Sequence, residues 1–280
     1  MTALHLLPVL WYSTALAAIL YWLDSTAPRR IAWRQRWWLM AAMPLPFIAI
    51  ELLSPLFAAL WWAAILLAGR LPIAASSAVD RSSGGAAPGI SMGAAAVAAI
   101  VIAVALLMAF RLLPGIVKWE LAPGLAINTG KLFAGLWVAA YLLGTARQPL
   151  PAFAAWARFG LVLCAAVIGA AALWLMRSGV QWDEQMPVRL AINLLVTCVA
   201  EELFFRALLL HWQLRHWPCA IAIVTNALLF AAVHISFDPV FMALAAVAGG
   251  LYGLVYWRTG KISAAIAVHF LVNIPLLLTR

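Results

Sequence analysis

The sequence has 280 residues, of which 67% are hydrophobic and 10% are charged. Soluble globular domains carry about 25% charged residues, so this composition excludes a soluble globular protein and predicts an integral membrane protein. The formal charge of +9 does not indicate a nucleic-acid interface, because the basic residues stand singly or in pairs at the ends of apolar segments, where they anchor helices to lipid headgroups.

Apolar segments long enough to cross a bilayer recur along the whole chain. A membrane-spanning helix needs about 20 residues, and the alternating apolar and polar positions of membrane strands are absent. The sequence therefore predicts an all-α fold, a polytopic integral membrane helical bundle of about eight (seven to nine) transmembrane helices. The predicted spans lie near residues 3–23, 38–68, 91–113, 125–145, 157–177, 187–212, 218–236, 240–257 and 262–278.

In chain order, the composition divides the protein into four parts. N-terminal transmembrane helices occupy residues 1–69, and residues 70–90 are predicted to be a flexible loop because Ser, Gly, Ala and Pro dominate them. The middle transmembrane helices, residues 91–184, carry few ionisable groups away from their ends. Residues 185–280 concentrate the intramembrane ionisable groups, so we expect the chemistry of the protein in this last part.

The segment AEELFFRALLL sets two glutamates and an arginine among apolar residues. Each charge near the centre of a membrane helix costs about 2.5–3.5 kcal/mol on the insertion scale, so such groups point to function. Glu202 and Arg206 lie four residues apart on one helical face and can pair. Glu201 points about 100° away from Glu202, and helical spacing aligns it with Thr197 and Asn193. This polar stripe is predicted to face a cavity or the bundle interior.

Two later helices supply histidines within apolar sequence. His234 follows Phe230 by one turn, and His269 precedes Asn273 by one turn. A lone histidine in an apolar helix is more often a hydrogen-bonded core residue than a catalytic group. Here, however, few other polar groups are available, and unsatisfied polar atoms in hydrocarbon cost several kcal/mol each. We therefore expect these side chains to converge with Glu201 on one buried polar site.

Four further residues have structural interpretations. Asp238 is followed by a proline, which is the pattern of a helix N-cap with proline at the first helical position. Cys164, Cys198 and Cys219 are odd in number and far apart, with neither disulfide-framework nor zinc spacing. They are expected to be small buried hydrophobic residues.

Three motifs stand in order on successive predicted helices, and together they resemble one protein family. The motifs are EExxxR (Glu201, Glu202, Arg206), FxxxH (Phe230, His234) and HxxxN (His269, Asn273). With the glycine-bearing segment GGLYGLVYWRTGKI between the last two, they resemble the CPBP family of intramembrane proteases, which includes the CAAX prenyl endopeptidases and bacteriocin-processing relatives. The resemblance covers about residues 185–278 and identifies this part as the catalytic helical core.

The resemblance implies a glutamate-dependent intramembrane endopeptidase that hydrolyses a peptide bond in a membrane-associated protein or peptide. Peptide hydrolysis needs an activated water and donors for the oxyanion. Glu201 is the candidate general base, and His234 can hold the same water. His269 and Asn273 are candidate donors to the oxyanion. The supporting residues are Glu202, Arg206 and Phe230.

The expected partners are a membrane-borne protein or peptide substrate and the lipid bilayer, with no nucleic acid. The expected location is the bacterial inner (plasma) membrane, as a multi-pass integral protein. No cofactor is expected, because HExxH is absent and the resemblance implies a metal-independent glutamate mechanism. The alternative is a zinc ion held by Glu201, His234 and His269, since catalytic zinc sites use three protein ligands and a water.

Two other functional classes remain as alternatives. Buried Glu, His and Arg also serve as proton relays or ion sites, so a proton- or ion-coupled transporter is one of them. The other is a non-catalytic protein that binds a membrane partner. A transporter is less favoured because the sequence shows no internal repeat and because the ionisable groups cluster in its last third. The presence of every motif residue argues against the non-catalytic alternative.

Overall fold

A computed structural model describes residues 3–24, 92–113, 118–144 and 179–279, with a few single residues between these ranges. The predicted spans near 38–68 and 157–177 and the predicted loop at 70–90 lie almost entirely outside the described residues.

Helices make up most of the described chain, which confirms the helical class of the fold. The seven helices of the described ranges are α1 (Ala3–Asp24), α2 (Met92–Ala109), α3 (Thr129–Gly144), α4 (186–216), α5 (Cys219–Ala232), α6 (Pro239–Thr259) and α7 (Ile262–Leu278). Each coincides with one of the predicted spans. The total of about eight spans stays a prediction.

Helix α6 is the one described helix that is both long and apolar enough to cross a membrane, judged by length and composition. Its start follows from the predicted cap, because Asp238 Oδ1 accepts the backbone N–H groups of Val240 (2.9 Å) and Phe241 (3.0 Å). The prediction of an N-cap at Asp238 is therefore confirmed. The helix ends at Gly260, whose φ of 67° is the left-handed conformation that glycine adopts readily.

A two-stranded hairpin precedes α3 and adds a small β element to the mostly helical fold, so the helix predicted from residue 125 begins only at residue 129. Its strands are β1 (Lys118–Ala122) and β2 (Leu125–Asn128). The turn between them is Pro-Gly, and Gly124 has φ 74°, as a type II turn requires. Asn128 Oδ1 accepts a backbone N–H from the first turn of α3 at 3.2 Å. The turn and this cap move the helix start to residue 129.

The chain divides into two compact units. One unit contains α2 and α3. Here Gly130 permits close packing, because an added Cβ would collide with the backbone carbonyl of Met108. The other unit contains α4 to α7, residues 120–127 of the hairpin and α1 from Ser13 onward. This second unit holds every predicted site residue.

Helix α4 is continuous but contains two π-helical segments. These are Asn193–Cys198 and Leu203–Leu210, and they flank the short α-helical segment Val199–Glu202 that carries both glutamates. A π-helical turn joins residues i and i+5 rather than i and i+4, and such turns are frequent at functional sites. Within these segments residue i+5 therefore comes alongside residue i, which regular helical spacing does not predict.

Glycines on α6 allow the second unit to pack closely. A Cβ at Gly249 would lie 3.0–3.2 Å from three side-chain atoms of Phe230, which is tighter than ordinary contact. A Cβ at Gly253 would lie 3.2 Å from Leu210 Cδ2. The absence of side chains at these two positions brings α6 against α4 and α5 and so sets the depth of the site.

Helix α7 begins with a cap from a distant part of the chain. Asp24, the last residue of α1, accepts the N–H of Ile262 at 2.8 Å through Oδ1 and the N–H of Ser263 at 3.2 Å through Oδ2. Lys261 at the helix boundary provides no side-chain cap of its own. Asp24 thus satisfies two backbone donors that the first turn of any helix leaves without intrahelical partners.

Candidate active site

Glu202 and Arg206 form a buried ion pair at the centre of the second unit. Arg206 Nη1 donates to Glu202 Oε1 at 3.0 Å, and neither side chain is exposed (0%). Arg206 Nη2 donates to the backbone oxygen of Gly249 at 2.8 Å. The guanidinium also faces the rings of Phe230 (4.7 Å) and Tyr252 (5.2 Å). The predicted pairing is confirmed. The other contacts of the Arg206 guanidinium connect α4 to α5 and α6.

His269 of α7 lies against both glutamates of α4. Its Nδ1 is 2.8 Å from Glu202 Oε1, and its Nε2 is 3.8 Å from Glu201 Oε2. A carboxylate only accepts hydrogen bonds, so Nδ1 carries the proton that Glu202 binds. The ring stacks on Tyr252 with a centroid distance of 4.5 Å and an interplanar angle of 16°. These contacts fix the ring with Nε2 directed toward Glu201.

The two glutamates occupy different environments although they are adjacent in sequence. The Glu202 side chain is 0% exposed and binds Arg206 and His269, whereas the Glu201 side chain is 11% exposed. Their separation follows from helical geometry, which turns successive side chains about 100° apart. Glu202 Oε1 is the carboxylate oxygen to which Arg206 Nη1 donates at 3.0 Å.

His234 lies in the turn that follows α5. Its Nδ1 is 2.8 Å from the backbone oxygen of Phe230. Because a carbonyl oxygen only accepts, Nδ1 carries a proton and donates it, and in the neutral ring Nε2 carries the lone pair. The His234 ring contacts Phe230 (5.0 Å), Phe237 (5.9 Å) and Phe241 (5.8 Å). The Phe230 ring also contacts His269 at 5.7 Å. Phe230 is thus the shared neighbour of the two histidines.

Asn273 lies one turn beyond His269 on α7, as predicted, and it binds the start of α4. Its Nδ2 donates to Asn193 Oδ1 at 3.2 Å and lies 3.6 Å from Cys198 Sγ. Cys198 Sγ donates to the same Asn193 oxygen at 3.3 Å. The π-helical segment brings Cys198, five residues after Asn193, alongside it. The predicted alignment of Thr197 with Asn193 stays a prediction.

The predicted buried character of the cysteines is confirmed for Cys198 and corrected for Cys219. Cys198 is buried and hydrogen-bonded, so it is a small polar partner in the interior rather than an inert hydrophobe. Cys219 is half-buried because it opens α5 at the first helical position. Cys164 lies outside the described residues.

Asn226 is a supporting residue that sequence reasoning missed. It is fully buried on α5 and donates through Nδ2 to the backbone oxygen of Phe205 at 2.9 Å. Phe205 lies in the second π-helical segment, where the backbone hydrogen bonding departs from the α-helical pattern. The available signal was a polar residue one turn before Phe230 in an otherwise apolar helix.

The described residues include no group of three or more His, Cys, Asp or Glu side chains arranged to hold a metal ion. The zinc alternative needs such a group from Glu201, His234 and His269. The expectation of a cofactor-free site stays a prediction.

The helices and the buried polar cluster together define the class of protein. Ionisable side chains inside membrane helices are costly and mark functional sites. Here two carboxylates, an arginine and a histidine meet among apolar helices. In the same unit, the rings of His234 and His269 both contact Phe230, and Asn273 binds Asn193. Side chains of these types are the ones that carry acid–base chemistry in proteins.

Comparison with protein families names that class. The family model described as "Type II CAAX prenyl endopeptidase Rce1-like" matches residues 183–275. The match confirms the predicted resemblance of this part of the chain to the CPBP intramembrane proteases and the protease class of the enzyme. The match includes every motif residue. No curated protein and no solved structure gave a significant match to the chain.

Proposed function

We propose that the protein is an intramembrane endopeptidase that hydrolyses a peptide bond in a membrane-associated protein or peptide, using a water activated by Glu201. The observation that supports this most strongly is the position of His269 between the two glutamates, 2.8 Å from one and 3.8 Å from the other. A general base and an oxyanion donor must face the same scissile carbonyl, and this arrangement brings such groups together.

Glu201 suits the role of general base better than Glu202 does. Glu202 already binds Arg206 and His269 and has no exposed surface. The Glu201 side chain keeps 11% of its surface accessible, so a water can reach its carboxylate. A base must lie within hydrogen-bonding distance of the proton that it takes, directly or through one water.

His234 supports the same water through its second ring nitrogen. Its Nδ1 proton is donated to the Phe230 carbonyl at 2.8 Å. In the neutral ring Nε2 therefore carries a lone pair and accepts a hydrogen bond from water. The aromatic rings around His234 restrict its orientation.

The oxyanion donors in this proposal are His269 and Asn273, which lie one turn apart on α7. His269 Nε2 donates when the ring carries a proton on both nitrogens, and the carboxylates of Glu201 and Glu202 balance the charge of that form. Asn273 contributes an amide N–H. Preorganised donors of this kind stabilise the charge that develops on the carbonyl oxygen.

In the reaction, Glu201 takes one proton from the water and the hydroxyl oxygen attacks the carbonyl carbon. The tetrahedral intermediate then collapses, the carbon–nitrogen bond breaks, and the amine nitrogen takes the proton held by Glu201. The products are a new carboxylate terminus and a new amino terminus. The site is enclosed by apolar helices, so the proposed substrate is membrane-borne.

The proposal is tested by sequencing new peptide termini in membranes that contain the wild-type chain or the Glu201→Ala variant at matched expression. Glu184→Ala is the matched control, because Glu184 is an exposed glutamate outside the buried cluster. We expect new termini that appear with the wild type and with Glu184→Ala and that are absent with Glu201→Ala. Identical termini in all three membranes, with every variant folded, would refute the proposed activity.

A further inference from the structure

Asn193, Cys198 and Asn273 form a closed triangle of side-chain contacts, here called the Asn193 triangle. Asn193 Oδ1 lies 3.3 Å from Cys198 Sγ and 3.2 Å from Asn273 Nδ2. The third side, from Asn273 Nδ2 to Cys198 Sγ, measures 3.6 Å. The triangle joins the start of α4 to α7, and it lies outside the three sequence motifs except for Asn273.

The π-helical segment Asn193–Cys198 builds this triangle. In a regular α-helix the neighbour of Asn193 along the axis would be Thr197, whereas the wider π turn brings residue i+5 alongside. The Cys198 thiol donates to Asn193 and presents its sulfur to the amide of Asn273. One unusual turn of α4 therefore determines what the Asn273 amide contacts.

The amide nitrogen of Asn273 contacts two acceptors of unequal strength. The amide oxygen of Asn193 is a good acceptor, whereas the sulfur of Cys198 is a weak one. These two acceptors are only 3.3 Å apart, so they lie on the same side of the nitrogen, while the two N–H bonds of a planar amide point apart. One N–H is therefore directed at Asn193, and the other can donate to an oxyanion, to which a hydrogen bond is about twice as strong as one between neutral groups.

We infer that Asn193 is a positioning residue for the hydrolytic reaction. Asn193 holds Asn273 by one N–H and leaves the other N–H available to the oxyanion. The inference rests on the proposed function, since it deepens the role of the same site. Asn193 does not touch the substrate; it acts by fixing the orientation of the amide that does.

The kinetic test replaces Asn193 and measures cleavage of the peptide bond found by the Glu201-dependent termini. Displacement of a catalytic group by about 1 Å can cost about 100-fold in rate, so we expect Asn193→Ala to lower kcat about 10- to 100-fold while KM stays unchanged. Asn193→Asp keeps an acceptor oxygen at the same place and is expected to restore kcat. Thr197→Ala, in the same π-helical segment, is the matched control.

A second measurement requires no substrate. In a Cys164→Ala/Cys219→Ala background the only thiol is Cys198, and its S–H infrared stretching band reports the hydrogen bond to Asn193. We expect the band to move to higher frequency in Asn193→Ala, to stay in Asn273→Ala, and to stay or move to lower frequency in Asn193→Asp, which keeps an acceptor oxygen. A band that does not move in Asn193→Ala would show that the triangle does not exist.

The two measurements separate the inference from the proposed function. Wild-type cleavage that is retained in full by Asn193→Ala overturns the positioning role and leaves the protease intact. A kcat in folded Asn193→Asp that is as low as in Asn193→Ala also overturns it, because a positioning acceptor should be rescued by that variant. Absence of Glu201-dependent cleavage in the wild type overturns both, and the S–H band then still decides the contact itself.

Discussion

Arg206→Met tests the buried ion pair, because it leaves the Glu202 carboxylate without its cation in the interior. Both side chains are 0% exposed and their charged atoms are 3.0 Å apart. Removing one partner of such a buried pair costs about 3–5 kcal/mol. The total stability of a folded domain is about 5–15 kcal/mol, so the variant should lose a large part of it.

The double variant Glu202→Gln/Arg206→Met should regain most of that stability. It removes both charges, and replacing a whole buried pair with neutral groups of similar volume is often neutral or stabilising. Its cleavage rate should nevertheless stay below that of the wild type. His269 Nδ1 would then donate to a neutral amide rather than to a carboxylate, and hydrogen bonds to charged groups are the stronger ones, at about 1.5–3 kcal/mol.

Unfolding in detergent micelles gives the stability of the wild type, the two single variants and the double variant, and the four values form a double-mutant cycle. Cleavage of the same peptide by each folded variant gives the rate. A single Arg206→Met variant as stable as the wild type would refute the buried pair as a source of stability. A fully active double variant would refute its role in supporting the site.

Three further outcomes are expected. Gly249→Ala should destabilise the protein by about 1–3 kcal/mol, because its Cβ would lie 3.0–3.2 Å from Phe230. Gly250→Ala should be tolerated, because its Cβ would lie 3.8 Å from its nearest neighbour. Equal unfolding midpoints for the two variants would contradict this packing. Asp24→Ala should lower the unfolding free energy by about 0.5–2 kcal/mol through loss of the α7 cap, and Asp24→Asn should lower it less; hydrogen exchange that is unchanged at the start of α7 would refute the cap. Metal chelators should leave the cleavage rate unchanged, and a stoichiometric metal whose removal and return switch activity off and on would overturn the cofactor-free site.

Local periodicity predicted the parts of the site that lie within one helix. The spacing of four residues between Glu202 and Arg206 predicted their pairing, and the ion pair forms at 3.0 Å. Asp238 before a proline predicted the N-cap of α6, and the cap forms. These features depend on residues within one or two helical turns, where geometry is almost fixed by sequence.

Contacts that depend on irregular backbone or on distant segments were not predictable from pattern. The contact of Cys198 with Asn193 was not predicted, because regular helical spacing was assumed and the sequence carries no signal for a π turn. The cap of α7 by Asp24 joins residues 238 positions apart, and periodicity carries no information over that distance. The hairpin before α3 was missed because strand β2, Leu125–Asn128, coincides with the start of the apolar span predicted at residues 125–145.

The hydrogen bond from His269 to Glu202 was predictable only in part. Convergence of the polar groups was expected because each needs a partner in an apolar interior. Which glutamate takes which partner was not evident, since both precede α7 by similar distances along the chain. Packing of α7 against α4 decides it, with Nδ1 on Glu202 at 2.8 Å and Nε2 toward Glu201 at 3.8 Å.

The central claim is that Glu201 activates the water that hydrolyses the peptide bond. Single-turnover cleavage of the peptide identified by its new termini, by purified wild type and by Glu201→Gln, tests it most directly. Glutamine keeps the shape of the side chain but cannot take the proton of the water, so the account predicts no cleavage by a variant that is folded and still binds the peptide. Cleavage by Glu201→Gln at the wild-type rate would contradict the account.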